Sequence, residues 1–334
     1  MVWVLFIFVA AVIVFAGSRL SGYADILAIK LKLSRSAMGV LLVSIVTTLP
    51  EITTTLSAIC KVDAPNMALG NNFGSILFNL SIIAICDCIF RRGGILRHIN
   101  SRELKPALYS LTLILLSAFA LLLPMPIAIG GMRFGAGSLV VIIVFVFFFM
   151  RIHSSGQVST SANKDEKEVV GENVSLRTAI IGFAVCSILI VICGVSLAVI
   201  GDNLAKAAGL SSSFVGTLFL AIATSLPELT VGISSVRRGA YDLMLGNIMG
   251  ANMLNVVVIA LADLFYIKDA LNVPKNLGWG QVFAAACAIL VTGVVISGIL
   301  KKSQMRASRF IGWRSVVILL VHVVCLIVIF NGWL

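Results

Sequence analysis

Two glutamates, Glu51 and Glu228, interrupt long apolar segments of the sequence. A carboxylate at the centre of a lipid bilayer costs roughly 3 kcal/mol, so such a residue normally faces a partner or a polar cavity. One alternative is a carboxyl group that burial keeps protonated and that serves only helix packing. The residues around the two glutamates favour a cation site instead.

Both glutamates belong to a sequence pattern that occurs twice. The first copy reads TTLPEIT at 47–53 and GNNFGSILFN at 70–79, and the second reads TSLPELT at 224–230 and GNIMGANMLN at 246–255. The glutamate precedes the first of these glycines by 19 residues in one copy and by 18 in the other. Two copies at matched distances indicate an internal duplication that includes both glutamates.

The residues before each glutamate carry oxygen atoms that suit a hard cation. Thr47 and Thr224 each lie four residues before a glutamate and therefore share its helix face. The proline before each glutamate has no N–H, which frees the carbonyl oxygen four residues earlier, that of Val46 or Ala223. At membrane depth such freed oxygens must line a polar cavity or meet protein donors.

The second element of each copy adds further polar groups. Ser75 and Asn79 are four residues apart, as are Ala251 and Asn255, so each pair shares a helix face. The glycines of the two G-N-x-x-G motifs would let helices approach closely, although ordinary helix packing explains them equally well.

The number and type of these oxygens favour Ca²⁺. Two bidentate carboxylates and two further oxygens give about six ligands, and Ca²⁺ takes 6–8. Mg²⁺ prefers stricter geometry, and soft metals prefer Cys and His, which the four quoted segments lack. Two carboxylates in an empty, poorly hydrated site repel each other, so a proton or a monovalent cation should replace Ca²⁺. The pattern therefore predicts obligatory exchange.

Composition places these motifs in an integral membrane protein. The 334 residues are 60% hydrophobic and 12% charged, and the mean hydropathy is +1.09. Soluble proteins have about 25% charged residues, and about 20 apolar residues cross a bilayer. The apolar segments predict ten spans, at roughly 2–18, 39–60, 67–90, 107–123, 132–150, 177–200, 213–236, 243–265, 279–300 and 314–331.

The net charge of +11 follows from membrane orientation and does not indicate a nucleic-acid partner. The segments after the odd-numbered spans carry 20 of the 25 Lys and Arg residues, which places those segments in the cytoplasm. The first span has no basic residue before its apolar run and is expected to be retained. We expect a multi-pass protein of the plasma (inner) membrane with both termini outside the cytoplasm. The oligomeric state stays open.

A Ser-rich, charged stretch at 154–174 divides the chain and predicts a cytoplasmic linker. The first five-helix repeat then covers 1–153, with its duplicated segment at about 39–90. The second covers 175–334, with its duplicated segment at about 213–265. An odd number of spans per half inverts the second copy, so the predicted fold class is an all-α membrane protein, with ten transmembrane helices in two inverted-topology five-helix repeats.

The duplicated motifs resemble those of the calcium/cation antiporter superfamily, and most of all its sodium/calcium exchanger branch. The resemblance covers nearly the whole chain. It implies secondary active antiport of Ca²⁺ and Na⁺ by alternating access, without a cofactor other than the transported ions. It also implies that spans 2, 3, 7 and 8 form the ion-binding core and that spans 1 and 6 slide across it.

The resemblance also assigns roles to individual residues. It implies central metal ligands at Glu51 and Glu228, further Ca²⁺ and Na⁺ ligands at Thr47 and Thr224, Na⁺ ligands at Thr48, Ser225 and Ser75, and a lining of the middle of the site by Asn79 and Asn255. Two residues depart from the G-S-N that the family often has in both copies, namely Ile76 in the first and Ala251 in the second. Ala251 has no hydroxyl group, so we expect the Na⁺ position beside it to be weakened.

Other functions remain open within and outside the family. The family includes H⁺-coupled members, so H⁺ coupling or another divalent substrate is an alternative. An intramembrane aspartyl protease would need two adjacent aspartates in other motifs, and a passive channel would need no counter-ion. The sequence therefore predicts an antiporter that is not an enzyme.

Overall fold

The computed structural model describes residues 2–30, 44–90, 94–123, 125–129, 132–155, 174–237, 239–266, 278–301 and 312–332. The predicted linker at 154–174 lies almost entirely outside these ranges, as does the start of the second predicted span. Within them the chain is almost wholly helical.

Twelve helices, labelled in chain order, make up most of the described chain. They are α1 (Val2–Lys30), α2 (Ser44–Thr47), α3 (Leu49–Ser57), α4 (Pro65–Phe90), α5 (Leu104–Leu122), α6 (Ala136–Ser155), α7 (Leu176–Ala208), α8 (Ser212–Thr224), α9 (Leu226–Arg237), α10 (Tyr241–Phe265), α11 (Trp279–Lys301) and α12 (Trp313–Phe330). Short 3₁₀ turns at Ile95–His98 and Ser101–Glu103 precede α5.

Seven of the described helices are long and apolar enough to cross a membrane, and the bent pair α8–α9 makes up to eight. The shorter apolar helix α6 corresponds to the fifth predicted span. The broken pair α2–α3 corresponds to the second. Ten spans therefore remain a prediction, although each predicted span has a helical counterpart.

The all-helical prediction needs one addition, between α5 and α6. A two-stranded antiparallel hairpin pairs β1 (Pro126–Ile129) with β2 (Met132–Gly135). The sequence Gly130–Gly131 joins the strands, and a Gly-Gly pair favours the tight turns of hairpins. The helix α6 consequently starts at Ala136, four residues later than the predicted start of the fifth span.

The second and seventh predicted spans break at equivalent positions. Thr48 separates α2 from α3, and Ser225 separates α8 from α9 with a bend of 46°. In each case the helix resumes with a Leu-Pro pair, and proline fits the first turn of a helix but cannot continue one. Each break therefore leaves a glutamate in the first turn of a new helix, at the depth of the bundle core.

α4 and α10 form the centre of the bundle and are its most buried apolar helices. α4 packs on α8, α11 and α12, whereas α10 packs on α2, α3, α5 and α6. α1 and α7 pack against each other, α1 also contacts α9, and α7 also contacts α3. Exchanging each helix for its counterpart in the other half reproduces these pairs.

Hydrogen bonds near the C-terminal ends of α4 and α10 also occur in equivalent pairs in the two halves. The buried Asp87 on α4 accepts hydrogen bonds from the backbone N–H of Gly312 (2.8 Å) and the hydroxyl of Ser315 (2.8 Å) at the start of α12. The buried Asp263 on α10 accepts equivalent bonds from Gly135 (2.7 Å) and Ser138 (2.5 Å) at the start of α6. Each aspartate thus caps the N-terminus of the last helix of the other half.

Two glycines bring α1 and α7 close to the helices that carry the glutamates. A Cβ atom on Gly17 of α1 would lie 2.6 Å from Cγ of Pro227, and one on Gly194 of α7 would lie 1.9 Å from Oγ1 of Thr53. Gly17 and Gly194 are 177 residues apart, as are Glu51 and Glu228. The close packing of α1 and α7 on the core is therefore another shared feature of the two halves.

Candidate ion-binding site

Glu51 and Glu228 lie together in the core of the bundle. Each occupies the first turn of the helix that follows a break, and both side chains are fully buried. Ser225, three residues before Glu228, is hydrogen-bonded to Glu51. Because the first turn of a helix has unpaired N–H groups and a positive partial charge, it favours a carboxylate there.

The carboxylate of Glu51 is bound by hydroxyl groups from two other helices. Ser225, at the break between α8 and α9, donates a 2.7 Å hydrogen bond to Oε1 of Glu51. Ser75 on α4 donates a longer bond of 3.4 Å to the same oxygen. Within the described structure, Oε2 of Glu51 is buried without a hydrogen-bond partner.

Glu228 has fewer polar partners than Glu51. Neither of its carboxylate oxygens has a hydrogen-bond partner among the described residues, although both are buried. Thr47 at the end of α2 lies beside it. The shorter of the two hydrogen bonds to Glu51 therefore comes from the opposite half of the chain, through Ser225.

The remaining predicted hydroxyl ligands differ between the halves. Oγ1 of Thr224 lies 3.5 Å from Oγ of Ser75. The same hydroxyl donates a hydrogen bond to the carbonyl oxygen of Leu220 (3.0 Å). Thr48 donates to the carbonyl oxygen of Ser44 at 2.7 Å, within its own helix. Thr48 and Ser225 occupy equivalent sequence positions, but only the Ser225 hydroxyl is directed at a glutamate.

The two predicted asparagines lie on the central helices. Asn79 donates from Nδ2 to Oδ1 of Asn252 on α10 at 3.1 Å, which joins α4 to α10. Asn255 is fully buried, and both its side-chain oxygen and its side-chain nitrogen lack a partner in the described chain. Oδ1 of Asn79 is likewise unmatched within those ranges.

Several further buried polar residues of α2, α3, α4 and α10 were not predicted as site residues. They are Ser44, Thr55, Asn71, Asn72, Asn247 and Asn252. The repeated Gly-Asn pair is the sequence signal that could have identified Asn71 and Asn247. Thr55 lies four residues after Glu51, so helix periodicity would have placed it on the same face.

Asp87 and Asp263 also escaped prediction, although they lie eight residues after Asn79 and Asn255 respectively. They fall near the ends of apolar segments, where an acidic residue is less unusual. Their backbone partners mark them as structural caps outside the ion site.

The donor set of this site suits a hard cation. The unmatched buried oxygens comprise one from Glu51, two from Glu228 and one from each of Asn79 and Asn255. Carboxylate and amide oxygens are the ligands of Ca²⁺ and of other hard cations. Within the described ranges, no grouping of three or more His, Cys, Asp or Glu side chains is arranged to hold a metal. The oxygens beyond the two glutamates are therefore neutral ones.

The chain is similar in sequence to known membrane proteins. The family model described as sodium/calcium exchanger protein matches residues 1–152 and 178–330. Inner membrane protein YrbG of Escherichia coli is 27% identical over 260 residues, which cover 74% of each chain. Sodium/calcium exchanger MaX1 of Methanosarcina acetivorans is 28% identical over 127 residues, which are 38% of this chain and 33% of that protein.

Solved structures show the same fold. A structure of the sodium–calcium exchanger NCX_Mj soaked with 10 mM Na⁺ and no Ca²⁺ matches with a TM-score of 0.64 and 20% identity, over 98% of this chain and 99% of that one. The structure of native YfkE matches with a TM-score of 0.66 and 17% identity, over 99% and 93% of the two chains. Since the family model spans both halves, the chain belongs to the sodium/calcium exchanger protein family.

Proposed function

We propose that this chain exchanges Ca²⁺ for Na⁺ across a membrane, and that Glu51 and Glu228 form the shared ion site. The observation that carries the proposal is the pair of buried carboxylates, three of whose four oxygens are unmatched within the described structure. Membership of an exchanger family supports cation antiport and gives no support to an enzymatic function.

Charge balance explains why such a site would exchange ions. Two carboxylates neutralise one Ca²⁺, and together they provide up to four of the 6–8 oxygens that Ca²⁺ takes. When Ca²⁺ leaves, the two buried charges repel each other and lose solvation, so monovalent cations must replace it. The protein would then switch slowly between its two access states when the site is empty, and quickly when the site is occupied.

The hydroxyls around Glu51 suit Na⁺ better than those around Glu228. Ser225, Ser75 and Thr224 form a connected group at Glu51. The position equivalent to Ser75 in the second half is Ala251, which is buried and offers no oxygen. We therefore propose a well-formed Na⁺ position beside Glu51 and a weaker one beside Glu228.

Alternating access in a ten-span inverted repeat fits the packing. The helix contacts, the aspartate caps and the Gly17 and Gly194 contacts each occur once in either half. Two halves of similar structure and opposite orientation have two related conformations, each open to one side. α1 and α7 contact the core through glycines, which favours sliding there. We keep the expectation that both termini lie outside the cytoplasm.

Proton coupling is the second candidate. A proton could neutralise Glu228, because no described hydroxyl or amide donates to its oxygens. The relative named putative antiporter CaxA, of Alkalimonas amylolytica, is 41% identical over 51 residues, but its printed name states no coupling ion.

Flux measurements distinguish the candidates. Radioactive Ca²⁺ uptake into proteoliposomes is compared under an outward Na⁺ gradient, an outward H⁺ gradient, or neither. Na⁺ coupling predicts uptake with the Na⁺ gradient alone. Uptake that follows only the H⁺ gradient would replace our proposal with the second candidate, and equal uptake in all three conditions would indicate a channel.

A further inference from the structure

The polar surface between α3 and α4 continues one helical turn beyond Glu51. Thr55 lies on α3 four residues after Glu51, and it is fully buried. Its Oγ1 accepts hydrogen bonds from Nδ2 of Asn71 at 3.0 Å and from Nδ2 of Asn72 at 2.8 Å. Thr55, Asn71 and Asn72 are hereafter called the amide cluster.

The amide cluster is connected to the glutamate site. Oγ1 of Thr224 lies 3.4 Å from Oδ1 of Asn71 and 3.5 Å from Oγ of Ser75. Ser75 in turn donates a hydrogen bond to Glu51. A continuous series of hydroxyl and amide groups therefore runs from Glu51 to Asn72. It leads toward the side of the membrane on which α3 is joined to α4.

The side-chain oxygen of Asn72 has no hydrogen-bond partner in the described chain. Its Nδ2 is fixed, because it donates both to Thr55 and to the carbonyl oxygen of Ala68 (2.8 Å). Its Oδ1 is consequently held away from these partners and is buried without a partner among the described residues. An unmatched buried amide oxygen costs about 1–3 kcal/mol, so it requires a donor or a cation.

The second half has no equivalent of this cluster. Gly232 stands at the position of Thr55, 177 residues later, and Ile248 stands at the position of Asn72, 176 residues later. The space beside Gly232 is filled by Ile82 of α4, whose Cγ2 would lie 2.8 Å from a Cβ atom added to that glycine. The corresponding position on the other side of the glutamates is therefore apolar and closed.

We propose that the amide cluster is an accessory binding site for a monovalent cation, which it holds one turn before the glutamate site on one side of the membrane only. Its ligands are the side-chain amide oxygens of Asn72 and Asn71, together with water that the ion retains. Thr55 positions both amides, because its Oγ1 accepts hydrogen bonds from their Nδ2 atoms. These are neutral groups, so they do not compensate the desolvation of a divalent ion but suit a partly hydrated Na⁺. The identification of Na⁺ rests on the proposed function.

An accessory site on one side makes the Na⁺ dependence of exchange unequal on the two sides. Na⁺ arriving from the side of the α3–α4 connection meets the amide cluster before Glu51. Na⁺ arriving from the other side meets Gly232 and Ile248. Removing the cluster should therefore weaken the action of Na⁺ from the first side alone.

The test uses Asn72→Ile, which installs the residue of the second half, and Thr55→Val, which removes the hydroxyl at constant shape. Thr292→Val is the matched control, because Thr292 is a buried threonine on α11 whose hydroxyl donates only to Ala288 of its own helix. Na⁺-driven Ca²⁺ flux is titrated with Na⁺ in right-side-out and in inside-out membrane vesicles. Each variant is also unfolded thermally in detergent in NaCl or in choline chloride at equal ionic strength.

We expect the half-saturating Na⁺ concentration to rise about three- to tenfold for both cluster variants, in one vesicle orientation only. The control should match the wild type in both orientations. In detergent, NaCl should stabilise both cluster variants less than the wild type. Equal shifts in the two orientations, or no shift in either variant, would overturn the inference.

The thermal measurement separates this inference from the proposed function. A wild type that shows no Na⁺-driven flux would contradict the proposed exchange. A loss of Na⁺ stabilisation in the cluster variants would still support the accessory site in that case, and stabilisation equal to that of the wild type would overturn it.

Discussion

Ser225 donates a 2.7 Å hydrogen bond to Oε1 of Glu51, although the two residues lie 174 positions apart in sequence and belong to different halves of the chain. The hydroxyl of the second half thus completes the carboxylate of the first. Thr47 of the first half lies beside Glu228 of the second. The candidate ion site therefore includes residues of both halves.

This crossed arrangement predicts unequal effects of two equivalent substitutions. Ser225→Ala removes a bond to a buried carboxylate, whereas Thr48→Ala removes one to the carbonyl of Ser44 in its own helix. We expect Ser225→Ala to raise the half-saturating Na⁺ concentration about tenfold, because it removes a hydroxyl oxygen that we propose as a Na⁺ ligand beside Glu51. Thr48→Ala should change it much less. Equal effects in Na⁺ titrations of Ca²⁺ flux would show that Thr48 also contacts Na⁺.

We predict that replacing Ala251 by serine raises the affinity for Na⁺. Ala251→Ser supplies the hydroxyl that Ser75 supplies in the first half, and Na⁺ needs several oxygens to replace its water. We expect steeper or higher-affinity Na⁺ activation, with a smaller change in Ca²⁺ affinity because Ca²⁺ depends mainly on the glutamates. The measurement is Ca²⁺ exchange against Na⁺ concentration in proteoliposomes. Superimposed curves for the variant and the wild type would mean that position 251 faces no Na⁺ site.

We predict that removing either aspartate cap lowers the stability of the protein with little effect on ion selectivity. Asp87→Ala leaves four donors unpaired, namely the N–H groups of Gly94, Ile95 and Gly312 and the hydroxyl of Ser315. We expect the free energy of unfolding to fall by about 3 kcal/mol, and Asp263→Ala to have an effect of the same sign.

The control for the caps is Asp202→Ala. Asp202 bonds to Lys206, whose side chain is 73% exposed, and surface pairs of this kind contribute at most about 1 kcal/mol. Thermal unfolding in detergent measures all three variants. A melting temperature for Asp87→Ala as high as that of the control would show that the cap does not stabilise the bundle.

The segment 154–173 is expected to be dispensable for basal transport. It is polar, Ser-rich and lacks an acidic cluster that would suggest a Ca²⁺ sensor. Replacing it with a Gly/Ser linker of equal length should preserve Na⁺-dependent Ca²⁺ flux. Loss of flux in protein that is correctly inserted would reveal a functional element within the segment.

The sequence predicted those features that depend on residue type and spacing. Glu51 and Glu228 stood out because carboxylates are rare in apolar segments. The prolines before them predicted freed carbonyl oxygens, although the breaks at Thr48 and Ser225 were not predicted. The family and the general fold followed from the two copies of the motif. The roles of the individual site residues remain predictions.

Contacts between distant segments could not be predicted in the same way. Helix periodicity placed Thr47 on the face of Glu51, but Thr48 separates the helices of these two residues, and the Thr47 hydroxyl donates to the carbonyl oxygen of Ser44. Side-chain rotamers decide that Ser225 turns to a glutamate while Thr48 turns to its own helix. The hairpin before α6 was overlooked because apolar residues on both sides of Gly130–Gly131 resemble the start of a membrane span.

The most direct test of the central claim replaces each glutamate by its uncharged isostere. Glu51→Gln and Glu228→Gln keep the shape of the side chain but leave one carboxylate to balance a divalent ion. The measurement is radioactive Ca²⁺ uptake into proteoliposomes driven by an outward Na⁺ gradient, with thermal unfolding as the control for folding. We predict that both folded variants lose exchange, whereas exchange at the wild-type rate in either variant would contradict a shared site at Glu51 and Glu228.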